Sequence, residues 1–217
     1  MKIKLFFVCC LFFIPGISFS QETLSMSGVY GFNIYHSDNS LPITRDNDFK
    51  NVLGFTLGYK HNLSEQFELR FEVGYLSTNA KNILTETYYF DFSPPREFKV
   101  DLLQYSFPLD ITIIKRLFKI FELGIGVSLE GINREVKLHG TYFPNTFDDR
   151  LNIFSIGGNA ILGFVYNIPN TERFLIYTDI KFRYLVSVWK NDTERDLENY
   201  THNYLQSNLS IGIGFKL

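Results

Sequence analysis

The sequence predicts an all-β chain: eight antiparallel strands wound as an up-and-down barrel. Three observations predict it. Eight stretches alternate apolar and polar residues with period 2, the pattern of a strand whose two faces meet different surroundings. The connections between these stretches alternate strictly between short and long. After the first 20 residues no run of ~18 apolar residues remains. A chain with 23 Phe and 13 Tyr therefore has no apolar helix with which to cross a bilayer.

Residues 1–20 read as a removable leader. Lys2 and Lys4 make a positive start, an apolar run follows to Phe13, Pro15-Gly16 breaks it, and Ser18-Phe19-Ser20 supplies small residues for a signal peptidase. Cleavage is expected before Gln21. Cys9 and Cys10 raise a lipoprotein alternative, but the apolar run continues past both and no small residue precedes Cys9. Removing 20 of the 217 residues leaves 197, one domain over 21–217. Both cysteines leave with the leader, so disulfide and thiol chemistry leave too. Lys2 and Lys4 also go. Then 19 basic residues stand against 23 acidic ones, a net charge of −4 that does not suit nucleic acid.

The strands follow in order. Residues 26–35 carry Tyr30, Phe32 and Ile34 on one face. In 52–61, Leu53, Phe55, Leu57 and Tyr59 alternate with Gly54, Thr56, Gly58 and Lys60. In 67–77, Phe67 to Tyr75 alternate with Glu68, Arg70, Glu72 and Gly74. Residues 100–114 set Leu103, Tyr105, Phe107 and Leu109 against Gln104, Ser106, Pro108 and Asp110. Residues 120–132 set Phe121, Leu123, Ile125 and Val127 against Glu122, Gly124, Gly126 and Ser128. Residues 153–166 and 174–188 repeat the pattern. In 205–217, Leu205, Leu209, Ile211, Ile213, Phe215 and Leu217 oppose Gln206, Asn208, Ser210, Gly212, Gly214 and Lys216. The connections at 62–66, 115–119 and 167–173 are short. Those at 36–51, 78–99, 133–152 and 189–204 are long, polar and aromatic.

Alternation fits two barrels. A soluble lipocalin-type carrier turns its apolar face inward around a ligand, whereas a transmembrane barrel turns it outward to lipid. Three features favour the transmembrane barrel. The polar face is rich in Gly, which suits a narrow lumen. Tyr59, Tyr75, Tyr166 and Tyr184 stand toward strand ends, as an interfacial girdle would. The last strand pattern runs to Leu217 with no helix after it.

The final residues resemble the C-terminal signal of bacterial outer-membrane β-barrels: Ser210, then Gly212, then Phe215 and Leu217. In that family the last strand is read by the barrel-assembly machinery and zipped to the first. Phe107-Pro108-Leu109, followed by Phe121 to Ser128 with its paired glycines, resembles the PorT-like outer-membrane barrels, a pattern also similar to the eight-stranded OmpX-like group. The resemblance implies an outer-membrane location with both termini periplasmic, lipid and the assembly machinery as partners, and a part in a secretion assembly as one functional possibility.

With the apolar face on lipid, Lys60, Glu68, Arg70, Glu72, Asp110, Glu122, Glu130, Asp179, Lys181, Arg183 and Lys216 point inward. Such charges persist in a narrow interior only when paired or hydrated. One reading is a salt-bridged plug. The other is a small gated channel through the same residues. Eight strands enclose a space that side chains just fill, which favours the plug.

An enzyme acting on outer-leaflet lipid would need a base near the membrane edge. His36 precedes Ser37 and Asp38, and His139 and His202 sit in other connections, but adjacent residues rarely aim at one another as a triad must. No metal, thiol or nucleophile-elbow motif is present, and no cofactor pattern. The long connections carry Tyr88, Tyr89, Phe92, Tyr142, Phe143 and Trp189 as candidate contacts for a protein partner. The alternative is that these aromatics pack on one another or join the outer girdle. The sequence-based expectation is a non-enzymatic barrel displaying four extracellular loops for surface contact or envelope support.

Overall fold

A computed structural model describes residues 22–36, 51–86, 96–118, 120–140, 143–169, 171, 173–192 and 203–217. Eight strands account for nearly all of them: β1 (Thr23–His36), β2 (Val52–Asn62), β3 (Phe67–Glu86), β4 (Arg96–Leu117), β5 (Phe121–Gly140), β6 (Phe143–Asn167), β7 (Phe174–Asp192) and β8 (Asn203–Lys216). Each pairs antiparallel with the next. β1 then pairs with β8, from Thr23↔Lys216 to His36↔Asn203, and the sheet closes. Closure leaves no open edge on the barrel body, which is what allows an all-β wall to stand in hydrocarbon.

The apolar stripe of every strand faces outward. Leu53, Phe107, Ile125, Ile211 and Ile213 are each more than half exposed. The polar stripe faces the lumen, where Arg70, Thr112, Glu122, Ser128 and Asp179 have no exposed surface. A lipocalin-type cup would show the reverse, so the structure overturns that alternative. Aliphatic surface this continuous is unfavourable in water by about 25 cal/mol per Å² and calls for lipid around it. Aromatic side chains gather near both limits of the belt. Toward the rim that carries both termini, Phe121 packs 4.5 Å from Phe164 and Phe174 packs 5.3 Å from Phe215. Toward the other limit, Tyr75 lies 6.0 Å from Phe55 and 5.4 Å from Phe107.

Two features depart from the sequence reading. The strands are longer than the apolar alternation, above all β6 with 25 residues against the 14 expected. The connection expected over 133–152 is mostly strand: β5 and β6 run on, pairing to Gly140↔Phe143. The outward apolar run of β5 ends at Leu129 and Gly131, and the Asn133 amide donates to Asn152 at 2.9 Å where that run ends. Beyond that level the outward stripe turns polar, with Asn133 and Glu135, while Arg134 on the lumen side stays buried. The outward apolar stripe that marks the strands of this sequence is lost there, although the backbone ladder is not.

The second departure is that the lumen is not wholly polar. Val29, Val52 and Leu76 pack together inside, as do Val165, Leu175 and Tyr177. Apolar pairs such as Leu175-Ile176 and Ile113-Ile114 hide these inward residues from a period-2 count. The inward glycines also do more than spare lumen volume. A Cβ at Gly157 would stand 1.8 Å from the Tyr184 carbonyl oxygen, and one at Gly126 would stand 2.1 Å from that of Ile111. Both are places where the backbone of the adjoining strand comes close.

Candidate functional site

The inward charges form a layered network whose bonds cross the lumen. Parity places them on one side of the wall; closure brings together residues far apart in sequence. At mid-barrel, Asp110 on β4 accepts from Lys181 at 2.8 Å, from the Arg183 Nε at 3.0 Å, and from Ser128 at 2.6 Å. Arg183 Nη2 also binds Asp110, and Lys181 also binds Glu72 on β3. β7 and β4 are three strands apart, and β7 and β3 are four apart, half the circumference. These side chains meet in the centre rather than along one wall.

The layer continues on both sides. Arg70 reaches Glu72 at 2.8 Å and Asp179 at 2.6 Å. Arg183 donates through Nη1 to Gln206 at 2.6 Å. Asn159 donates to Ser128 at 3.0 Å and accepts from Thr112 at 2.9 Å. Three cations (Arg70, Lys181 and Arg183) and three carboxylates (Glu72, Asp110 and Asp179) from β3, β4 and β7 thus pair within one fully desolvated cluster. Buried charge is tolerated only when it is so paired, since an unpaired ion in this setting costs several kcal/mol, about 3–5 when one partner is removed. Glu130, 1% exposed, lies beside Ser106 and Arg183 at the edge of the layer.

A second cluster closes the rim that carries the termini. Lys60 on β2 binds Glu122 on β5 at 2.6 Å, again across the interior, and stands 4.0 Å from Glu68. Arg116 pairs with Glu68 and lies 3.7 Å from Glu122. The Tyr177 ring separates the two clusters, with Arg70 5.3 Å and Lys60 5.8 Å from its centroid. Lys216 is half-buried at the rim and donates to Asn167 at 2.8 Å. All eleven charged residues expected inside therefore lie on the inner side, ten of them buried and Lys216 at the mouth.

Several network members escaped the sequence reading. Arg116 belonged to a turn in that reading, yet β4 extends through it. Arg134, which donates to Gln104 at 2.9 Å, fell in a long connection. Asn159 and Tyr177 occupy inward parity and were legible by position, but they carry no formal charge at neutral pH to draw notice.

The other candidate residues separate. Ser210 and Gly212 line the lumen, Phe215 pairs with Leu24 of β1 and packs on Phe174, and Leu217 is exposed beyond the end of β8, its amide donating to the Glu22 carbonyl at 2.8 Å. Tyr88, Tyr89, Phe92 and Tyr142 lie outside the described residues, as do Ser37, Asp38 and His202. Phe143 opens β6 rather than sitting in a loop, and Trp189 stands exposed on β7 in register with Phe154. His36 ends β1, and His139 pairs with Lys99. Among the described residues, no three His, Cys, Asp or Glu side chains converge as metal ligands would.

No protein-family model matches the chain, and no curated protein does. The PorT-like resemblance thus has no support from these comparisons. Solved structures do match. A major outer membrane protein of Thermus thermophilus is 9% identical, with a TM-score of 0.50 over 90% of this chain and 99% of that one. OprG of Pseudomonas aeruginosa is 12% identical, with a TM-score of 0.49 over 94% and 99%. Ail, the attachment invasion locus protein of Yersinia pestis, is 12% identical, with a TM-score of 0.46 over 92% and 100%. Closed antiparallel topology, outward apolar belt and inward charge agree with the Thermus match, and together they show that the chain has the fold of an outer-membrane β-barrel with transmembrane strands.

Proposed function

We propose that this protein is a non-enzymatic barrel of the bacterial outer membrane, its interior plugged and its exterior end displaying chain for contact with a protein partner or for support of the envelope. The observation that carries the reading is the salt-bridged layer from Lys181 and Arg183 to Glu72 and Asp110, which spans the lumen at mid-height. A body so filled is an anchor rather than a conduit. Residues 1–20 act as the signal peptide in this reading, and both termini face the periplasm.

What the anchor presents is a wall of strand. β5 continues from Asn133 to Gly140 beyond the apolar belt, about 25 Å of strand at ~3.3 Å per residue, and β3, β4 and β6 extend in the same direction. β1, β2 and β8 are shorter, with 14, 11 and 14 residues. The display is therefore lopsided, a raised rim on one side of the barrel. Rigid strands that continue clear of the membrane favour partner recognition by limiting the entropy lost on binding.

Fractionation, heat-modifiability on a gel and protease treatment of intact cells test this reading. The expected result is a heat-shifted band in the outer membrane, cut only in the connections between β1 and β2, β3 and β4, and β7 and β8. A soluble protein without a heat shift, or cuts in the short connections 63–66 or 168–173 of intact cells, would overturn it.

A further inference from the structure

A groove of about 580 Å³ runs across the outer wall where β4 to β7 meet. Pairing explains its shape. Ile113, Ile125, Ala160 and Phe182 form one row across four strands, and Lys115, Leu123, Leu162 and Ile180 form the next row toward the terminal rim. Ala160 is the one small side chain in a row of Ile and Phe, so the wall dips there and its neighbours form the banks. At ~4.8 Å between strands the row spans about 15 Å, the scale of an extended acyl chain.

One end of this groove is charged. Among the described side chains at membrane level, Lys115 is the one Lys or Arg on the lipid-facing side; every other is turned into the lumen. Its ammonium stands 5.8 Å from the Phe67 ring, near the rim that carries both termini. A lysine on an apolar wall is costly unless its flexible stem carries the ammonium to the headgroup level and an anion meets it there. Apolar trough and single cation together match a molecule with a hydrocarbon chain and a phosphate at one end.

We infer that this groove is a site for one glycerophospholipid of the periplasmic leaflet, an acyl chain lying over Ala160 between Ile125 and Phe182 and the phosphate at Lys115. The leaflet rests on the orientation proposed above; the binding does not. Lipid retention by the purified barrel, read by native mass spectrometry in mild detergent with added palmitoyl-oleoyl phosphatidylglycerol, tests it. One strongly retained lipid is expected. Lys115→Gln should weaken retention about tenfold, or ~1.4 kcal/mol. Ala160→Leu, which fills the trough, should abolish it while the heat shift persists. Equal retention by all three proteins, or equal retention of palmitoyl-oleoyl glycerol without a phosphate, would overturn the site and leave the plugged-anchor reading standing. A dimer that Ala160→Leu dissociates, with no retained lipid, would overturn it in favour of a second copy. Preference for lipid A over phosphatidylglycerol would overturn the leaflet assignment.

Discussion

Asp110 draws three donors from two other strands, accepting from Lys181, Arg183 and Ser128. Its loss leaves two cations in a desolvated lumen with fewer partners. Removing one member of such a group costs about 3–5 kcal/mol, against ~1 kcal/mol or less for an exposed pair at the rim such as Lys216 with Asn167. Asp110→Ala should accordingly lower the urea midpoint of the barrel refolded in phosphatidylcholine vesicles far more than Lys216→Ala does. Comparable midpoints for the two variants would show that water replaces the missing partner. Phe118 poses a backbone question instead. It holds φ at 53° in the turn after β4 and is almost fully exposed. An aromatic residue in the left-handed region is strained, and a β-branched one is strained more. Phe118→Gly should therefore exceed Phe118→Val in unfolding free energy by about 1–2 kcal/mol in the same assay. Equal stabilities would mean the turn relaxes out of that conformation.

At the scale of the strand, β6 leaves no room for a side chain at Gly157, where a Cβ would stand 1.8 Å from the Tyr184 carbonyl oxygen of β7. The register of the two strands shifts between Phe154 and Ser155, from Trp189 to Ser187, so β7 carries one extra residue there. The first methyl group added at Gly157 would collide with backbone rather than with a side chain that can turn aside. Gly157→Ala is expected to leave a large share of the protein unfolded by heat-modifiability, whereas Gly131→Ala, where nothing lies within 4 Å of the new carbon, should fold like the parent. Equal folding of the two would refute the close approach. Element existence was legible because one face of each strand meets lipid and the other does not, a contrast that alternation records directly. Element length was not. Past Asn133 and Asn152 the outward stripe is no longer apolar, and the ladder that continues there leaves no outward hydrophobic mark in residues such as Asn133 and Glu135.

For the whole molecule the question is whether a closed barrel is also a closed pore. Bridges from β7 to β3 and β4, and from β2 to β5, occupy the lumen at two heights, with the Tyr177 ring between them. The intact protein should give no conductance steps in a planar bilayer. Arg183→Ala combined with Lys181→Ala should remove side chains from the upper layer and, in the fraction that folds, admit small ions. Steady conductance by the unaltered protein would replace the plug with a gated path. Parity predicted which charges face inward, so the content of the layer was legible. The partnerships were not. Nothing local joins Lys60 to Glu122 or Arg183 to Asp110.

By itself, the sequence determined the class of structure: eight strands, their order, antiparallel sense and the side each residue faces. These follow from a period of two and from short connections, both local in the chain. Only the tertiary structure decided which inward charges meet across the lumen, that the strands rise well past the apolar belt on one side, and that a trough ends at Lys115. The partnerships and the trough depend on closing β1 against β8. Closure sets the curvature of the wall, brings residues three and four strands apart within hydrogen-bonding distance, and lets a single alanine become a groove between its neighbours.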